Sequence, residues 1–217
     1  MYDFNSKSVE ATLEQVVMIL NEHRIKNLFI GSVVIAAING KLHRKLGDLD
    51  LIVDSKKADI LYKELAKLGY SRAKGMFSFG RKYLSLETLD SPSLLGVGYF
   101  HGEFRDDGSF VMGNKRINVE IDPSAIIETR YKLLGQHFMG IPESAAATGV
   151  MTSSTNPKRK KELVLLKERN ITPLPNNYIH VNFFGMRIDW VYHLTMLILN
   201  VIGSIRVKMG LAFDPWR

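Results

Sequence analysis

Cysteine is absent from the 217 residues, which excludes disulfide frameworks, thiolate metal sites and cysteine nucleophiles together. That absence fits a reducing compartment, and a cytoplasmic location is the expectation. Long apolar runs are also lacking. The greasiest stretch, WVYHLTMLILNVIGSI over 190–205, falls short of the ~20 residues a membrane span needs. It is interrupted by His193, Thr195, Asn200 and Ser204, so it predicts a helix facing the core or a partner rather than lipid. The amino-terminal stretch MYDFNSKSVEATLEQVVMILNEH has no basic-then-apolar leader pattern. Its apolar positions Val9, Leu13, Val16, Val17 and Leu20 predict a core-facing helix over 8–23. Acidic charge is in short supply: 22 Asp and Glu against 29 Lys and Arg leave a net charge of +7. Such a balance attracts phosphates on nucleotides, nucleic acid or anionic lipid. What remains, 46% hydrophobic and 24% charged residues, suits a folded core and excludes general disorder.

The basic residues concentrate in NPKRKKELVLLKERN (156–170), which holds six of them against two glutamates. The spacing predicts a helix whose Lys158, Arg159, Lys160 and Lys161 either form a solvated face or bind phosphates of RNA or of a nucleotide. The six histidines, at 23, 43, 101, 137, 180 and 193, show no metal-ligand spacing and are assigned to surface and core.

Taken in order, NLFI (27–30) predicts a short strand ending at Gly31-Ser32, followed by a small-residue helix stopped at Asn39-Gly40. A basic loop leads to a strand over 48–54 and a helix over 55–70. Aromatic and β-branched runs between 76 and 121 predict antiparallel hairpins ending in a strand at 116–121. After Pro123 the spacing predicts helices over 124–138, around 143–150 and over 157–169. TPLPNN (172–177) is the boundary candidate, which divides the chain into a core (1–122), a helical region (123–171) and a C-terminal segment (172–217).

The strand LGDLDLIVD carries two aspartates in an apolar run. Side chains alternate along a strand, so Asp48 and Asp50 share a face with Cα atoms ~6.6 Å apart, while Asp54, ~13 Å beyond Asp50, belongs to the cap of the next helix. Two carboxylates this close repel unless a cation joins them. A hard divalent ion, Mg2+ or Mn2+, suits oxygen ligands of this kind. In RINVEID (116–122) Glu120 and Asp122 point away from the apolar face. Either one, brought beside Asp48 and Asp50, completes a three-acid nest able to hold two ions ~3.5–4 Å apart for attack on phosphorus. Gly31-Ser32, between strand and helix, offers unpaired N–H groups and a hydroxyl to a phosphate.

LFIGS, fifteen intervening residues, DLD and later VEI resemble, in that order, the nucleotidyltransferases of the DNA polymerase β superfamily, in particular its small stand-alone members. The likeness covers about residues 25–125 and departs from the family pattern at Gly47, where members often carry Ser or Thr. It implies an α/β (α+β) fold, with a mixed sheet flanked by helices and a helical C-terminal region. It also implies transfer of a nucleoside monophosphate from a triphosphate such as ATP to an acceptor hydroxyl, with release of pyrophosphate. On this resemblance Gly31, Ser32 and Arg44 or Lys45 contact the triphosphate, Asp48 and Asp50 bind the metal, and Glu120 is the third acid or the base. The partners implied are a nucleoside triphosphate and an acceptor that is tRNA or other RNA, a protein or a small molecule. An antitoxin or a second copy of the chain is counted among them. A relative that keeps the fold but only holds a nucleotide or partner is the alternative.

Overall fold

The computed structural model describes residues 5–72, 83–88, 94–152, 157–174 and 178–190. The apolar run expected to form a helix over 190–205 therefore lies outside the described residues, apart from Trp190. Among those residues, eleven strands and five α-helices form a mixed α+β fold. In chain order they are α1 (Ser6–Glu22), β1 (Asn27–Ile30), α2 (Ser32–Asn39), β2 (Asp48–Asp54), α3 (Ala58–Lys67), β3 (Tyr70–Arg72), β4 (Tyr83–Thr88), β5 (Gly96–Phe104), β6 (Phe110–Gly113) and β7 (Ile117–Ile121). They continue as β8 (Thr129–Leu133), β9 (Gln136–Gly140), α4 (Glu143–Thr152), α5 (Pro157–Glu168), β10 (Ile179–Phe183) and β11 (Met186–Arg187).

The strands run in the order β11-β10-β7-β6-β5-β2-β1-β9-β8, with β4 alongside β5 and β3 alongside β4. β2 is central because its apolar residues serve both faces of the sheet. Leu49, Leu51 and Val53 are fully buried in the larger core, with α1, α2 and α3. Ile52 joins Leu28, Phe110 and Ile126 in a smaller core on the other face. Each such side chain contributes roughly 1.5–3 kcal/mol on burial. β1 runs antiparallel to β2, with Ile30 opposite Asp50. β5 runs parallel to β2, with Gly96 opposite Asp48 and Gly98 opposite Asp50.

β5 changes partners at Gly102, where a Cβ would lie 2.4 Å from the Val111 carbonyl oxygen. Only a residue without a side chain lets β6 approach this closely. Beyond that point Glu103 and Phe104 pair with β6, and β6 with β7. The sheet thus continues outward from the far end of β5.

The helix expected over 124–138 is not formed. Pro123–Ala125 make a single 3-10 turn, and β8 and β9 form an antiparallel hairpin. Its turn, Leu134-Gly135, has positive φ at both residues (49° and 83°), the geometry that matches the twist of two paired strands. Tyr131, Leu133 and Phe138 are buried from alternating positions, which a hairpin satisfies and a helix does not. The region after Pro123 is accordingly a hairpin followed by two helices, α4 and α5, rather than helical throughout. Asp54 does not cap α3, whose N-cap is Lys57 with no side-chain hydrogen bond; its Oδ1 accepts the Lys56 backbone N–H at 3.0 Å in the turn before the helix.

Candidate functional site

The site is assembled where β1 ends, beside the acidic edge of β2. Gly31 sits at φ 70° and ψ −145°, a conformation a side chain opposes. That backbone turns the chain sharply from β1 into α2, and a Cβ there would stand 3.5 Å from Asp50 Oδ2. The antiparallel pairing of Ile30 with Asp50 brings the two elements together. Asp48 and Asp50 are both half-buried, on the strand face opposite Leu49 and Leu51. On the neighbouring strand the residues opposite them are Gly96 and Gly98, and a Cβ at Gly96 would lie 3.8 Å from the Asp48 Cβ. The acids therefore border a strip of sheet that carries no side chains of its own.

Ser32 opens α2 and lies in a polar cluster organised by Glu162 of α5. Ser32 Oγ donates to Glu162 Oε1 at 3.0 Å. Arg44 Nε reaches the same oxygen at 3.1 Å, as does His43 Nε2. Arg159 Nη1 donates to Glu162 Oε2 at 2.6 Å and to Ser32 Oγ at 3.3 Å. Arg44 Nη2 also donates to Ser32 Oγ. The Glu162 side chain is entirely buried. Burial by itself raises its pKa, but the His43 hydrogen bond and the Arg159 and Arg44 guanidiniums override that and hold it at about 2. At neutral pH it is an anion flanked by two guanidiniums.

The structure thus brings Gly31, Ser32, Asp48, Asp50 and Arg44 into one neighbourhood. Lys45, the next residue, is exposed. Of the basic helical run, Arg159 turns inward to the cluster while Lys160 and Lys161 are exposed.

Glu120 is not brought to the aspartates. It lies on β7, opposite Val111 of β6, which in turn faces Glu103 beyond the partner change in β5. Strand spacing and rise place it roughly 20 Å from Asp50. Its carboxylate pairs with Arg105 at 3.7 Å. Asp122, the other candidate third acid, pairs with His180 Nε2 at 3.0 Å in the same outlying part of the sheet. Among the described residues, no group of three acidic or histidine side chains is arranged to hold a metal ion.

Sequence reasoning missed Glu162 and the inward turn of Arg159. One signal was available: Glu162 and Leu166, four residues apart on one helix, are both buried. A stripe of that spacing marks the packed side of α5 rather than its wet side.

No family model matches the chain, and no curated protein does. Solved structures do. The lincosamide antibiotic adenylyltransferase LnuA, with lincomycin bound, superposes with a TM-score of 0.60 at 17% identity, covering 73% of this chain and 96% of that one. The antibiotic-resistance factor ANT(2'')-Ia gives 0.59 at 12% identity, covering 76% and 85%. A nucleotidyltransferase-like protein from Paracoccidioides brasiliensis gives 0.50 at 14% identity, covering 76% and 77%. The chain has the fold of these nucleotidyltransferases.

Proposed function

We propose that this protein is a nucleotidyltransferase, moving a nucleoside monophosphate from a nucleoside triphosphate to an acceptor hydroxyl. The observation that carries this reading is the packing of Gly31 against Asp50, which sets a strand-to-helix turn beside a pair of carboxylates. A fold shared with nucleotidyltransferases supports it.

The chemistry assigns each part a task. The Gly31-Ser32 turn presents backbone N–H groups and the positive end of α2 to the triphosphate. Arg44 adds a fixed cation beside Ser32. Asp48 and Asp50 would hold one hard divalent ion, Mg2+ or Mn2+, for which carboxylate oxygens are suitable ligands. Such an ion, when bound, supplies neutralisation of the phosphate charge. The acceptor oxygen attacks the α-phosphorus, the bond to the β-phosphate breaks, and pyrophosphate leaves with that electron pair. The hydroxyl proton passes to a carboxylate of the pair or to water. Catalysis then comes from positioning and from charge complementarity at the transferring phosphoryl group.

Gly96 and Gly98 put no side chain of their own beside the aspartates, and at Gly96 the Leu86 carbonyl closes in instead. The excess of basic residues favours an acceptor carrying phosphates, RNA foremost. The test offers purified protein each labelled nucleoside triphosphate with Mg2+ and candidate RNA, protein and small-molecule acceptors. Label transfer that disappears with Asp50→Asn supports the reading. The absence of both transfer and metal-dependent nucleotide binding would refute it. A second reading, nucleotide binding without turnover, is favoured by the distance of Glu120 and Asp122 from the aspartate pair. Calorimetry separates the two, since binding that survives Asp48→Asn without any turnover supports the second.

A further inference from the structure

A carboxylate with no exposure in the middle of a basic helix needs a reason, because removing an ion from water costs several kcal/mol even in a relaxed protein. Glu162 collects partners from three distant segments: Ser32 at the start of α2, His43 and Arg44 before β2, and Arg159 one turn earlier on α5. Both guanidiniums also converge on the Ser32 hydroxyl. An ion pair serving the core alone would bury both partners. Here the anion and His43 are sealed, while the Arg44 and Arg159 side chains stay 21% and 26% exposed. Nη1 of Arg159 bridges the Glu162 carboxylate and the Ser32 hydroxyl. Within the cluster two guanidiniums face one carboxylate, which makes the Ser32 side of the turn cationic while Asp48 and Asp50 make its other side acidic.

We propose that Glu162 is a positioning residue of the nucleotide site, holding Arg44 and Arg159 astride Ser32 so that the part-exposed guanidinium of Arg159 receives the triphosphate tail, while Arg44, whose three nitrogens are held by Glu162, the Lys45 carbonyl and Ser32, supplies fixed positive charge. This rests on the nucleotidyl-transfer reading and extends it to α5, making Arg159 a phosphate-binding residue. A planar guanidinium binds phosphate through a fixed fork, so its orientation matters as much as its charge. Fixing that orientation beforehand lowers the entropic cost of binding. The carboxylate does cost some attraction for the anion. The proposal is that geometry outweighs it.

The test uses the full chain and two probes, inorganic tripolyphosphate by calorimetry and a nucleoside triphosphate in steady-state transfer. Glu162→Gln keeps the shape but sets an amide NH2 against a guanidinium. It is expected to weaken tripolyphosphate binding and raise the nucleotide KM by about tenfold or more, with kcat changed less than about threefold. Glu162→Asp, which keeps the charge, should recover part of both losses. Binding of tripolyphosphate within twofold of wild type, or tighter, would overturn the proposal. A Glu162-dependent tripolyphosphate affinity in a protein that transfers nothing would sink the transfer reading and leave the anion site standing. If Glu162→Gln does not fold, Arg159→Gln leaves the carboxylate with Ser32, His43 and Arg44. Its tripolyphosphate affinity must then fall about fivefold or more, and an unchanged affinity overturns the proposal equally.

Discussion

Neutralising Glu162 should change the acid stability of this protein in a way that can be worked out beforehand. In the unfolded chain its carboxyl has an ordinary value of 4.5, and in the folded protein it is held at about 2. A depressed carboxylate contributes stability that is fully present above the unfolded pKa and is lost as pH falls through the folded one. The window therefore runs from about pH 5 down to about pH 2. A separation of that size is worth about 3 kcal/mol at 1.36 kcal/mol per unit. In a chain of this length it corresponds to roughly 6–12 °C in melting temperature. The assay is thermal or urea unfolding of wild type and Glu162→Gln at a series of pH values. Every other carboxylate titrates in both proteins, so the difference between the two curves isolates Glu162. The variant should be less stable at neutral pH, and its deficit should shrink steadily as the medium is acidified through the window. A deficit that is constant with pH, or absent at neutral pH, would refute the reasoning.

Three other perturbations test the remaining geometry. Gly31→Ala forces a side chain into φ 70° and ψ −145°, which should cost about 1–3 kcal/mol in urea unfolding. Asp50→Asn should lower transfer by at least about a hundredfold in a labelled-nucleotide assay. Glu120→Gln, altering a carboxylate that pairs with Arg105 far from the aspartates, should leave transfer within about twofold of wild type; a large loss would show that β7 reaches the site after all.

The parts of the site that the sequence made legible are those written in local spacing. Asp48 and Asp50 alternate with Leu49 and Leu51, and the pleat of one strand suffices to put them on a common face. Gly31-Ser32 stands between an apolar strand and a small-residue helix, a junction visible without knowing what lies beside it. Glu120 depended on something no local pattern contains, the order in which strands join the sheet. β2 takes β5 as its parallel neighbour, and Gly102 passes the ladder on to β6 and β7, so Glu120 is carried outward. The hairpin at 129–140 was misjudged for a different reason. Gly135 after Leu133-Leu134 resembles a helix C-terminus, and the apolar residues from Ile126 to Phe138 fit both periods. Burial of both Tyr131 and Leu133, with Lys132 exposed between them, decides for the strand period. Glu162 was hidden by its neighbours, because four consecutive basic residues just before it suggest water rather than interior.

The contact between Ser32 and Glu162 spans 130 residues of chain. Closing so long a loop has an entropic cost that contacts formed early cannot offset, and such contacts form late in folding. During synthesis the turn at Gly31 and the aspartates of β2 emerge first, and the sheet can begin to build around them. Ser32 and Arg44, however, have no anion to settle on until α5 arrives. The phosphate-facing side of the site is therefore the last to be completed, and a chain still lacking α5 would carry its acidic edge without the cluster that orders its cations.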